Sequence, residues 1–213
     1  MFSVTQNGKP LSNSKYNWDE KTDTFSTNES DLVLDFFGYD GITFKTGSRC
    51  TFITDSKCTF VTGSNCSFQT GYSCAFNTGN GNHCTFNTGS NCIFKTGFYC
   101  TFKTGSHCIF HTDYRCTFHT GSDCTFDTGN NCTFITGDNC IFVTGDNCIF
   151  KTGENCFVTR WELNGCDKIP KGKKIRLNDY GVKGYTIVKE PNPTCNGKVV
   201  EIEGKKYKLT EIA

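Results

Sequence analysis

The chain has 213 residues, with 22 Lys and Arg against 21 Asp and Glu and a net charge of +1. That balance excludes a global electrostatic pull toward nucleic acid or an anionic membrane surface. No apolar run approaches the ~18 residues of a membrane-spanning helix, and Met1–Asn7 lacks the basic-then-apolar start of a signal peptide.

Residues 1–41 are not repetitive. Asn7-Gly8-Lys9-Pro10 reads as a turn, residues 12–23 are polar, and Asp31–Phe37 is the one strongly apolar run. That run fits a strand, or a short helix lying over the first coil of the repeat region.

Residues 42–156 form an eight-residue repeat in fourteen copies. A representative copy is Cys100-Thr101-Phe102-Lys103-Thr104-Gly105-Ser106-His107. Positions 1, 3 and 5 (Cys, Phe, Thr) alternate, so in a strand they face one side and the residues between them face the other. Gly at position 6 ends the strand, and its tolerance of left-handed backbone predicts the tight turn there. Asp replaces it at Asp55 and Asp113, also turn-compatible.

One octad cannot enclose a core, so octads must coil. Outward residues match at a spacing of sixteen, Ile93, Ile109 and Ile141 in one series with Thr125 the exception, and Thr85, Thr101, Thr117 and Thr133 in the other, while Lys95 with Lys103 and His111 with His119 match at eight. The expected fold is all-β: a parallel β-solenoid with two octads per coil, about seven coils, roughly 34 Å long at ~4.8 Å per strand. Three or four octads per coil are the alternatives. A two-residue insertion within Asn80-Gly81-Asn82 falls at a turn, where it leaves the ladder in register.

Sixteen cysteines ordinarily suggest a secreted disulfide scaffold. Here Cys keeps one fixed place in a repeat that also fixes Phe and Thr, which marks a small core residue. Reduced thiols in an intracellular protein are the preferred reading, with disulfides across a narrow core as the alternative. A metal-thiolate store fails on spacing, because the repeat has no Cys-x-x-Cys pairs.

After residue 156 the repeat decays, with Cys166 its last echo. Lys171–Leu177 and Gly184–Val188 read as strands, and Lys198–Ile202 with Lys205–Leu209 as a hairpin turning at Glu203-Gly204. The chain thus divides into an N-terminal cap (1–41), the solenoid (42–166) and a small C-terminal β module (167–213). Open solenoid ends expose apolar side chains and unpaired strands, so both flanks are expected to cover an end. Charge agrees. Residues 42–116 hold six basic and two acidic residues, and residues 117–156 one and five. The flanks reverse those signs, with three basic against seven acidic in residues 1–41 and twelve against seven in residues 157–213. Docking of each flank on its own end, or head-to-tail assembly, would use that pattern.

No catalytic or metal site is expected. The histidines His83, His107, His111 and His119 belong to no triad or metal spacing, and Thr-Gly is a turn, not a phosphate loop. No cofactor is implied. Two surfaces are candidates for contact. Phe98, Tyr99, Tyr114 and Arg115 would cluster on one edge, and exposed aromatics at turns mark interfaces. Asp123, Asp127, Asp138, Asp146 and Glu154 would form an acidic face. The basic cluster from Lys168 to Arg176 reads as a solvated face.

The octad resembles the cysteine-rich Cys-x-Phe octapeptide repeats of β-solenoid proteins from bacteria and tailed bacteriophages, and Ile175–Thr186 resembles the ends of such phage proteins. The resemblance implies the fold and a phage-encoded origin and brings no activity with it. The architecture is also similar to pentapeptide-repeat proteins, some of which mimic DNA and block host enzymes; the eight-residue unit and near-neutral rod depart from that family. The leading expectation is a non-enzymatic structural or interaction protein, a rigid scaffold in the bacterial cytoplasm or a virion. It would bind a protein or associate through its ends, not nucleic acid or membrane, and a small molecule held at the turns stays open. An inhibitor of a host protein, through the acidic residues, is the alternative. Ice binding is a lesser one, because it needs a flat Thr array and the neighbours here vary.

Overall fold

The computed structural model describes residues 2–189, 199–202 and 205–208. An alternating strand buries its apolar side only against a second sheet, and the chain supplies one by coiling. Successive octads alternate between a twelve-stranded sheet (sheet I) and an eleven-stranded sheet (sheet II). Thr101 in sheet I pairs with Thr85 and Thr117, and Ile109 in sheet II with Ile93 and Thr125. The coil is therefore sixteen residues, two octads. Across the insertion Phe76 pairs with Phe94 and Phe68 with Phe86, and the ladder continues unbroken.

The parallel stack is longer than the octads alone. Sheet II runs parallel from Thr24–Ser26 to Phe157–Arg160, and sheet I from Leu32–Phe36 to Ile149–Lys151. Phe25, Leu34 and Val158 occupy the Phe column without the rest of the motif. About nine rungs at ~4.8 Å make a rod of ~40 Å, against the seven coils expected. The apolar run at Leu32–Phe36 is a strand, its alternate residues Leu32, Leu34 and Phe36 buried.

Phenylalanine fills the interior. Within a sheet the rings stack, Phe102 on Phe118 at 4.8 Å and 3°. Between sheets they meet edge to face, Phe102 with Phe110 at 5.3 Å and 77°. Each buried ring contributes about 2 kcal/mol, and each ring pair about 0.5–1.5 kcal/mol more. Most inward Thr hydroxyls donate to the carbonyl of the next residue, as Thr104 to Gly105 O at 3.3 Å.

Antiparallel strands close both ends, which stops further parallel addition. At the start Ser3–Gln6 pairs with Leu32–Phe36, and Asn17–Asp19 with Thr24–Ser26. Phe2 stacks on Phe36 at 4.3 Å, with Trp18 beside them. At the far end Lys174–Leu177 pairs with Ile149–Lys151, and Cys166–Lys168 with Phe157–Arg160. Buried Arg160 donates to the carbonyls of Val182 (2.8 Å) and Asp179 (3.1 Å) and binds Glu162. One ion pair of the expected sign spans each junction, Asp31–Arg49 and Glu154–Lys171, each at 2.6 Å. Both pairs are exposed and worth little. Tyr185–Ile187 extends sheet I, and Val199–Ile202 pairs with Lys205–Lys208. The expected turn at Glu203-Gly204 lies outside the described residues.

The turns correct one expectation. Gly at position 6 is not the left-handed residue. Position 8 is, from Arg49 (φ 56°) through His107 (57°) to Asn155 (51°). Half of these residues are Asn or Asp, the side chains that tolerate this region best. Outside Asp55 and Asp113, position 6 is Gly because coils approach closely there. A Cβ on Gly121 would lie 2.2 Å from Ser106 Oγ and 2.9 Å from Ser106 N. The same contact explains Ser at position 7. Its Oγ accepts the backbone N–H one coil above, Ser122 to Ser106 and Ser106 to Ser90, both 3.0 Å. Gly121→Ala is therefore expected to destabilise the protein by about 1–3 kcal/mol in chemical denaturation, and unchanged stability would refute the close-approach account.

Candidate functional site

Turns leaving sheet I form one edge of the rod, and turns leaving sheet II form the other. On the first, the serine edge, position 7 runs Ser90, Ser106, Ser122, and the serine ladder ends with Asp138 N donating to Ser122 Oγ at 3.0 Å. The second edge starts the same way. Ser48 N donates to Ser30 Oγ (3.1 Å), Ser64 N to Ser48 Oγ (3.2 Å), Asn82 N to Ser64 Oγ (3.2 Å) and Phe98 N to Asn82 Oδ1 (3.4 Å). There the ladder stops, because Phe98 and Tyr114 have no acceptor to offer the coil above. Among the described residues, no hydrogen bond satisfies the N–H of Tyr114 or Asn130.

The rings build a cluster in place of the ladder. Phe98 stacks on Tyr114 at 4.9 Å, Tyr99 meets both edge to face at 5.5 and 6.1 Å, and His83 stacks on Tyr99 at 5.0 Å. The Arg115 guanidinium lies 5.4 Å over the Tyr99 ring and donates to its hydroxyl. Such a cation–ring contact contributes about 0.5–1 kcal/mol at an exposed site. The four residues expected from the sequence to cluster thus come together. Phe98 is half-buried, while Tyr99 and Tyr114 stay 37% and 42% exposed.

Three further side chains belong to this edge. His83 sits sixteen residues, one coil, before Tyr99. Asp113 stands where the repeat has Gly. Its counterpart Asp55 accepts Gly38 N–H at 2.7 Å and so anchors the N-terminal cap, whereas Asp113 has no side-chain partner among the described residues. Trp161 is sixteen residues beyond Gly145 and occupies the same glycine column, since Thr144 pairs with Arg160. The decay of the motif after residue 156 hid that relation. Trp161 is 61% exposed.

Two open grooves flank this column. One, about 610 Å³, lies toward sheet II and includes Asn80, Lys95, His111 and Asp127. The other, about 510 Å³, includes Tyr99, Tyr114, Arg115 and Asn131. Asp113, Gly129 and Trp161 line both. Buried polar groups without partners collect on this edge as well: Thr96 Oγ1, Thr128 Oγ1 and Asp146 Oδ1, with Arg160 Nε at the end of the Thr96–Thr128 column. Native proteins leave few such groups.

The five acids expected on one face divide among three sides. Asp123, Asp138 and Glu154 share the serine edge, where Asp123 accepts from Asn139 (3.3 Å), Asp138 from Glu154 N (2.6 Å), and Glu154 pairs with Lys171. Asp127 lies on sheet II, 3.6 Å from His111, and Asp146 belongs to the aromatic edge. Sixteen-residue coiling separates what linear proximity grouped.

The fourteen cysteines from Cys50 to Cys156 form two buried columns, one along each edge. Their thiols donate to turn carbonyls, as Cys100 to Gly81 O (3.7 Å) and Phe98 O (3.6 Å). The adjoining thiol of Cys100, then burial, pushes Cys84 up. Cys116 first, opposed by Cys84 and joined by burial, pushes Cys100 up to about 11. At these two positions thiolate, the reactive form, is thereby suppressed at neutral pH, whereas the adjoining thiols of Cys66 and Cys74 hold Cys50 and Cys58 down at about 7. No disulfide joins the fifteen described cysteines, and no three His, Cys, Asp or Glu side chains among the described residues converge on a metal position. Nor is any described helix long and apolar enough to cross a membrane.

Comparison with protein-family models, with curated proteins and with solved structures finds no match to this chain. The site is therefore read from its own geometry. Iodoacetamide in native buffer is expected to label exposed Cys166 and spare Cys50 through Cys156 in peptide mapping, with all fourteen labelled after denaturation. Native labelling of the columns would contradict their burial.

Proposed function

We propose that this protein is a non-enzymatic interaction scaffold, a rigid rod that presents its aromatic edge to a macromolecular partner. One observation carries the reading: departures from the repeat that have no folding role concentrate on adjacent turns of one edge. The insertion at residues 80–82, Phe98, Asp113, Tyr114 and Arg115 all lie there, and the ring substitutions leave amides unpaired. Departures elsewhere have structural partners, Asp55 with Gly38 and Arg49 with Asp31. Tyr72 on the serine edge is the exception, and it joins no described ring cluster. Local rules are broken where function demands it. Rigidity comes from the ladder and ring stack on which that edge is mounted.

The setting follows from the repeat and tail resemblances, which support a bacterial or phage origin, and from the buried thiols, which suit a reducing compartment. The acids of the serine edge are occupied by hydrogen bonds and an ion pair, which weighs against inhibition through an acidic face. The hydroxyl row on sheet I, from Thr85 to Thr133, is flanked by Asn87, Lys103, His119 and Ile135, not by the second matched row that an ice-binding face needs.

A double substitution tests the reading. Phe98→Ser with Tyr114→Ser restores the repeat's own residue and offers acceptors to the N–H groups of Tyr114 and Asn130. Each recovered hydrogen bond contributes about 0.5–1.5 kcal/mol, offsetting a lost ring pair of similar size. Rings retained for binding predict stability within about 1 kcal/mol of wild type, the usual pattern for residues kept for function. A loss beyond about 3 kcal/mol, the scale of deleting core aromatics, would make the edge a packing device and sink the proposal.

A further inference from the structure

Resting on that reading of the edge, we infer that the partner it recognises is a neutral saccharide chain. The two grooves share one column of turn residues. Asp113 and Trp161 stand at its ends, and between them lie Gly129, which lines both grooves, and Gly145, so that no side chain projects from the column between the two ends. Three inter-coil steps separate the two ends, ~14 Å along the rod. The grooves on either side, about 610 and 510 Å³, fall within the ~300–1,000 Å³ usual for ligand sites.

The side chains fit one chemistry better than others. A pyranose ring has an apolar C–H face and a rim of hydroxyls. Its face packs on the face of an exposed aromatic ring, and its hydroxyls need planar donors and acceptors beside that ring. Trp161 and Tyr114 supply exposed rings. Asp113, unpaired and reaching both grooves, supplies an acceptor, and Asn130 and Asn131 supply amides. A wholly apolar ligand would strand the Asp113 carboxylate without water.

Other polymers fit less well. In the grooves Lys95 and Arg115 are balanced by Asp113 and Asp127, so the excess positive charge that draws a phosphate backbone is absent. A peptide adding as a strand needs a row of free backbone groups. Here some of the turn amides are used between coils: Gly97 N to Gly81 O, Tyr99 N to Tyr114 O, Arg115 N to Asn130 O. The amides without a described partner on this edge, those of Asp113, Tyr114, Asn130, Gly145 and Asp146, lie in separate turns and make no strand edge. Recognition must therefore come from side chains. Repeated coils at ~4.8 Å spacing also suit a ligand that is itself a repeating chain.

The test uses the full chain in saturation-transfer NMR with maltotriose, chitotriose and mannotriose, followed by an oligosaccharide microarray. At least one neutral oligosaccharide is expected to bind. Trp161→Ala and Tyr114→Ser should each weaken binding tenfold or more, and Asp113→Asn should also weaken it, with unfolding midpoints near wild type. Because Trp161 adjoins the C-terminal cap, Tyr114→Ser decides the matter if Trp161→Ala does not fold. No saccharide binding on either platform overturns the inference, as does binding that survives Tyr114→Ser. Single-stranded DNA or a peptide bound in a Tyr114-dependent way would overturn it too. Those results leave the edge itself intact if the Phe98→Ser, Tyr114→Ser protein stays stable, whereas a destabilised double variant removes the edge reading first.

Discussion

Every coil of this protein rests on a near-copy of itself, and the rest of the structure depends on that one constraint. Once residue i must stack on residue i+16, each octad position becomes a column with a single physical task. The Phe column buries apolar surface, with rings parallel along a sheet and crossed between sheets, as in Phe102 against Phe118 and Phe110. The Cys column fills the narrow corners where nothing larger fits. Both are tolerant chemically and strict geometrically, because a misfit in one coil is passed to its neighbours above and below.

The turn columns show how strict. Position 6 is Gly because of what the coil beneath places there, and position 8 adopts left-handed backbone so that the chain can re-enter the opposite sheet. The two requirements are linked through Ser at position 7, whose hydroxyl is both the obstacle to a Cβ on the glycine above and the acceptor for the amide above. Replacing that serine with a ring removes the acceptor and leaves the obstacle to be rebuilt from aromatic faces. Phe98 and Tyr114 do so in consecutive coils, and the cluster they found gathers His83, Tyr99 and Arg115 around it.

Much of this was legible in the residues. Alternation of Cys, Phe and Thr specified the inward side, and the Ile93–Ile109–Ile141 and Thr85–Thr101–Thr117 series specified the coil. The cluster at Phe98, Tyr99, Tyr114 and Arg115 was also legible, since it needs only that spacing. What was hidden depended on contacts between coils. The role of Gly121 is set by Ser106, and the difference between Asp55 and Asp113 is set by whether Gly38 lies within reach. Leu34 and Val158 keep the Phe column after the motif has gone, so the rod is longer than its repeat. Trp161 was missed for the same reason. It keeps its column when its neighbours in sequence have ceased to resemble an octad.

The antiparallel closure of both ends has a consequence for how such a chain changes over generations. Growth is terminated by Ser3–Gln6 and Asn17–Asp19 at one end and by Lys174–Leu177 and Cys166–Lys168 at the other, while nothing in the middle fixes the number of coils. Duplicating or deleting a sixteen-residue coil away from the insertion at residues 80–82 would slide the ends apart or together by one strand spacing and leave every column intact. The molecule is in effect a ruler with permanent stops and removable graduations. The position of the aromatic edge between those stops is then a length set by gene duplication alone, open to selection without any change in how the protein folds.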